Sequence, residues 1–177
     1  MTQGIIKPLL AIVYCAVLLS IFFFTGSSAY TPRFNSDMAI HVLMVDGFSL
    51  PHDLYYWQQN RLGSFIPMMA WPFFAMGVKA ILSISLAQTL IFASIFTMLY
   101  HLIKKHWLFF LFPLATLFPV YIFEDTLYAG HPYMGHLFFL VLLLTLIKSE
   151  GIRPSFKWAF IALTCCFMFW ASELSLA

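Results

Sequence analysis

The sequence predicts an all-α polytopic membrane helical bundle, with about five spans and juxtamembrane helices in a first outer loop. Three observations carry that expectation. Hydrophobic residues fill 62% of the 177 positions and charged residues only 9%, with Phe alone occurring 21 times. A soluble domain usually carries about 25% charged residues, so a chain this poor in charge could not cover a water-facing surface. Long apolar runs recur, with a mean hydropathy of +0.90, and in hydrocarbon such runs satisfy their backbone as helices. Finally, five of the seven acidic residues collect in two loops.

The first apolar run, Ile5 to Phe24, is interrupted only by Lys7 and Pro8 and is long enough for one span. Gly26-Ser27-Ser28-Ala29 follows, with the small residues of a signal-peptide cleavage site. The apolar core is long for a signal peptide, so we read a retained signal-anchor helix. Thr25 to Gly63 is then the one long polar stretch. Asn35 or Ser36 can cap a short helix through Val45, which Asp46-Gly47 would end. Its apolar positions suit a helix lying at the membrane interface. Pro51-His52-Asp53 reads as the start of a second short helix.

The region Ser64 to Ile103 is apolar except for Lys79. Read as two spans, it would put Lys104, Lys105, Lys148, Arg153 and Lys157 on the side opposite the N-terminus, against the positive-inside rule. Read with Leu62 to Val78 as a juxtamembrane or re-entrant helix holding Pro67 and Pro72, only Ile81 to Ile103 spans. The spans are then 5–24, 81–103, 107–123, 133–147 and 158–176. Basic residues fall mostly inside, with the N-terminus. Asp37, Asp46, Asp53, Glu124 and Asp125 fall outside, in loops 25–80 and 124–132. The chain 1–177 reads as a single transmembrane domain. Its last helix runs to Ala177 without a polar tail, so we expect the N-terminal fragment of a longer protein.

Net charge is only +2 and dispersed, so no nucleic-acid partner is expected. Cys15, Cys165 and Cys166 all lie in apolar runs and read as packing residues, with no disulfide or zinc framework. There is no P-loop, no dinucleotide fingerprint, no HExxH and no nucleophile elbow.

Each polar constellation has a structural and a functional reading. Asp37 at the head of its helix stabilises the helix dipole, or serves as a general base or metal-bound carboxylate. His41 follows one turn later on the same face, so Asp37 and His41 are a candidate pair for a divalent metal. Two ligands alone do not make a site. In Tyr55-Tyr56-Trp57-Gln58-Gln59-Asn60-Arg61 the aromatics suit an interfacial belt. Arg61 either snorkels to headgroups or grips a lipid-linked phosphate with its planar fork of donors. Glu124, Asp125 and His131 form the second outer loop, with His136 just inside the next span. They end helices and hydrate the loop, or line a site at the membrane rim.

The run Asn35-Ser36-Asp37-Met38-Ala39 soon after the first span, and Asp53-Leu54-Tyr55-Tyr56-Trp57-Gln58-Gln59-Asn60-Arg61-Leu62-Gly63-Ser64 beyond it, resemble the GT-C superfamily of membrane glycosyltransferases. That superfamily includes the protein O-mannosyltransferases and the aminoarabinose transferases of lipid A. The resemblance covers the chain as the N-terminal part of such an enzyme. It implies a bacterial inner-membrane protein with a cytoplasmic N-terminus and an outer active face. It further implies a sugar on a polyprenyl phosphate as donor, transfer to an acceptor on the outer face, and membrane lipid as surroundings. Asp37 would be the catalytic base or a metal ligand. Arg61 would hold the donor phosphate with Tyr56 beside it, and Glu124, Asp125 and His131 would shape the acceptor or metal side. Asp37 stands alone where members carry an Asp-Glu pair, which leaves the subfamily open. The alternative is a non-catalytic small membrane protein, such as an assembly partner or a transporter fragment. Charges or broken helices near the bilayer midplane would favour it.

Overall fold

The computed structural model describes residues 3–28, 30, 36–57, 63–103 and 134–171. Within them the chain is all-α. Its helices are α1 (Gln3–Ser28), α2 (Ser36–Asp46), α3 (Phe65–Ala75), α4 (Ala80–Ile103), α5 (Met134–Lys148) and α6 (Pro154–Ala171). No strand is present among the described residues, only an isolated bridge between Tyr55 and Gly63. The expected span 107–123 and loop 124–132 lie outside the described residues.

Local chemistry sets the short helices. Helix α2 runs from Ser36 to Asp46, one residue past the expected end at Val45, and Gly47 follows it without the positive φ of a left-handed cap. Helix α3 is bounded from within. Pro67 sits in its first turn, where a missing N–H costs nothing, and Pro72 removes an interior hydrogen bond three residues before the end. Gly77 then adopts φ +90°. Its N–H donates to the Phe74 carbonyl at 2.8 Å and that of Val78 to Phe73 at 3.1 Å, a Schellman ending that a β-carbon would strain. With 11 residues, α3 rises about 16 Å, roughly half the hydrocarbon thickness. It is too short to span, in keeping with a juxtamembrane or re-entrant helix.

Two antiparallel pairs make the body. Tyr14 of α1 donates to the Ala93 carbonyl of α4 at 2.9 Å. Further along, a β-carbon at Gly26 would stand 3.3 Å from Ser85 Oγ. In the second pair Phe139 stacks on Phe167, with ring centroids 5.6 Å apart, and Gly135 faces Ala171. Helix α3 links the pairs. Its Phe65 packs on Phe138 and Phe139 at one end, and its other end turns into α4 through residues 76–79. One core results, with Ile21, Phe65, Ile66, Ile84, Ile91, Phe92, Met134 and Ala171 buried together.

Helices α4 and α6, of 24 and 18 residues, are long and apolar enough to cross a membrane. Length alone would also fit the core helix of a soluble protein, but α6 is not covered. Phe156, Trp158, Phe160, Leu163 and Phe169 stand exposed along it, Trp158 by 68%. A patch of that size facing water would drive association, whereas lipid solvates it. Lys157 Nζ donates to the carbonyls of Ile147 and Ser149 at 2.8 and 2.7 Å, placing a cation on the C-terminal end of α5.

Candidate functional site

The polar chemistry of the described residues concentrates in the segment between α2 and α3. Asp53 is its hub. Its carboxylate is 1% exposed yet accepts hydrogen bonds on both oxygens. The Ser49 N–H donates to Oδ2 at 2.7 Å, with Ser49 Oγ at 3.3 Å. Trp57 Nε1 donates to Oδ1 at 2.8 Å, and His52 Nδ1 lies 2.9 Å from the same oxygen. Burial alone would push this carboxyl up. The bonds from Trp57, Ser49 and His52, with the His52 charge, outweigh it and hold the carboxyl below its usual range.

Backbone bonds fix the loop as firmly. The Asp53 N–H donates to the Ser49 carbonyl at 2.8 Å, closing a five-residue turn that contains the cis Leu50–Pro51 bond. Sequence predicts a helix starting at Pro51-His52-Asp53, and the structure corrects this. The turn is not propagated because its carbonyls are engaged elsewhere. Ser64 Oγ donates to the Asp53 carbonyl, while Ser64 N and Trp170 Nε1 donate to that of Leu54 at 3.3 and 3.0 Å. The Gly63 N–H also donates to the Trp170 carbonyl, at 2.8 Å. Gly63 must be glycine here, since a β-carbon would lie 2.5 Å from the Trp170 ring. The loop is therefore clasped to the end of α6.

On its other side the loop packs on α2. Tyr56 is only 2% exposed and lies edge-to-face on His41, with ring centroids 4.9 Å apart and Met44 and Ile40 beside it. Tyr56 thus fastens the loop to α2 through its ring. Asp37 lies one turn before His41, about 6 Å along the axis; its backbone is in α2, and its side chain falls outside the described set. Arg61, Glu124, Asp125 and His131 also lie outside the described residues. Among the described residues, no three His, Cys, Asp or Glu side chains gather as a metal-binding group.

No family model, curated protein or solved structure matches this chain. The reading of the site therefore rests on its own chemistry.

Sequence reasoning assigned Tyr55, Tyr56 and Trp57 to a headgroup belt and missed the hub. One signal was available: Ser49, Asp53 and Trp57 recur at four-residue intervals, the spacing that brings side chains together over a helical turn. The arrangement yields a buried, ionised carboxylate that orients a solvent-facing imidazole, His52, whose side chain is 83% exposed.

Proposed function

We propose that this chain is a membrane glycosyltransferase, or a part of one, that moves a sugar from a polyprenyl phosphate to an acceptor on the outer membrane face. One observation carries the reading. The loop between α2 and α3 is a built polar unit, tied on one side to the helix that carries Asp37 and on the other to the end of α6. A loop that only connected two apolar helices would need neither a buried carboxylate nor a clasp across the bundle.

Charge placement supports the same reading. Lys148 and Arg153 lie at the α5–α6 turn, and the loop holding Asp53 meets α6 at its other end. With the turn inside, the loop faces out. Asp37 then activates the acceptor, as base or as ligand of a divalent metal, Arg61 grips the donor phosphate with Tyr56 behind it, and Glu124, Asp125 and His131 border the acceptor. Asp37→Asn in the protein in its native membrane tests this. Transfer from polyprenyl-phosphate sugar should fall by on the order of 10²-fold or more with expression unchanged, and full activity in the variant would remove Asp37 from the mechanism.

The buried Gln88 in α4, with Thr25 and Ser85 also buried, favours the alternative of a transporter fragment, because polar groups inside a span often mark a path. All three are uncharged, which leaves the loop the stronger feature.

A further inference from the structure

His52 and Asp53 have a geometry that structural duty alone does not require. The Asp53 carboxylate is already held by the Ser49 N–H and by Trp57 Nε1, on different oxygens. These bonds fix the loop without help from residue 52. Yet the His52 ring stands in solvent and still directs Nδ1 at Asp53 Oδ1, 2.9 Å away. A carboxylate offers only acceptor oxygens, so the shared hydrogen sits on Nδ1. In the neutral ring Nε2 then carries the lone pair and points away from the buried side.

We propose that His52 is the proton acceptor for the hydroxyl group of the sugar acceptor, with Asp53 as its positioning residue. The proposal rests on the transferase reading and deepens it. In the step, the acceptor O–H bond breaks and its proton moves to His52 Nε2. The acceptor oxygen forms a bond to the anomeric carbon. The bond from that carbon to the phosphate oxygen breaks, and polyprenyl phosphate leaves with the electron pair. Asp53 keeps its charge throughout and steadies the imidazolium that forms, as a buried carboxylate behind a catalytic histidine does. The Ser49 and Trp57 bonds hold Asp53 in place while this happens. Of the two roles open to Asp37, this leaves that of ligand to a divalent metal.

Two readouts on the membrane-embedded protein test the assignment. The first is acylation of His52 by diethyl pyrocarbonate at neutral pH, followed by peptide mass spectrometry, with the exposed His101 as internal reference. His52 should react several-fold faster than His101 in the wild type, and Asp53→Asn should remove that advantage. Equal rates in the wild type would overturn the oriented imidazole. The second is turnover of polyprenyl-phosphomannose in proteoliposomes. His52→Asn, at a site too exposed to disturb folding, should lower kcat by on the order of 10²-fold with little change in KM. Undiminished turnover in that variant would overturn the proposal while leaving the transferase reading intact. If the wild type itself never turns over the donor although His52 labels fast, the transferase reading falls and takes the acceptor role with it.

Discussion

Asp53 shows how a single side chain can organise a loop. Because hydrogen bonds hold its folded-state carboxyl below the usual range, the ionised form is the one that folding favours. Its contribution is whole above the unfolded value, about pH 4, and is lost as the pH falls through the lower folded value. Asp53→Asn keeps the shape but swaps an acceptor oxygen for an NH₂ that meets the donors of Ser49, Trp57 or His52. We expect it to cost about 1–3 kcal/mol near neutral pH. The gap between variant and wild type in detergent thermal unfolding should close as the pH drops below about 4; a constant gap would mean the carboxylate charge contributes nothing. Gly63 is as specific in its way. Gly63→Ala should lower stability by about 1–3 kcal/mol through its collision with Trp170 and expose residues 49–57 to protease. Gly47→Ala is the control, since nothing lies within 4 Å of the new methyl, and it should shift stability by less than about 0.5 kcal/mol.

At the scale of elements, legibility in the sequence follows the range of the interactions. The bounds of α2 could be read to within a residue from Ser36 and Asp46-Gly47, because helix boundaries are signalled by the residues beside them. The shortness of α3 could be read from charge balance and two prolines, and Gly77 supplies its ending locally. The turn at 49–54 could not be read that way. Its helix-starting residues are real, and hydrogen-bonded turns do form there. What stops it comes from Ser64 and Trp170, partners 11 and 116 residues away. Trp57 misled for a different reason, since its partner Asp53 is only four residues away. An aromatic near a membrane surface is most simply a headgroup anchor, and only the fold shows its N–H turned toward Asp53. The His52–Asp53 pair was visible as adjacent letters, but the burial of one and exposure of the other was not.

For the whole molecule, the proposed orientation makes an opposite-face prediction. In a chain whose native cysteines are replaced, a cysteine at exposed Gly47 should react with a membrane-impermeant maleimide added outside intact cells. One at exposed Gly151, in the α5–α6 turn, should react only after permeabilisation. Labelling of both from the same side would discard the topology and the outer active face together. The clasp between Leu54 and Trp170 also bears on how the protein is made. Its two halves are separated by 116 residues of chain. At typical synthesis rates that interval lasts roughly 6 to 20 s. Throughout it the N–H of Gly63 has no α6 to meet, and the carbonyl of Leu54 has the Ser64 N–H but not Trp170. The segment that precedes α3 in sequence is thus set after α6 in time, so insertion of a late helix completes the geometry of an early loop.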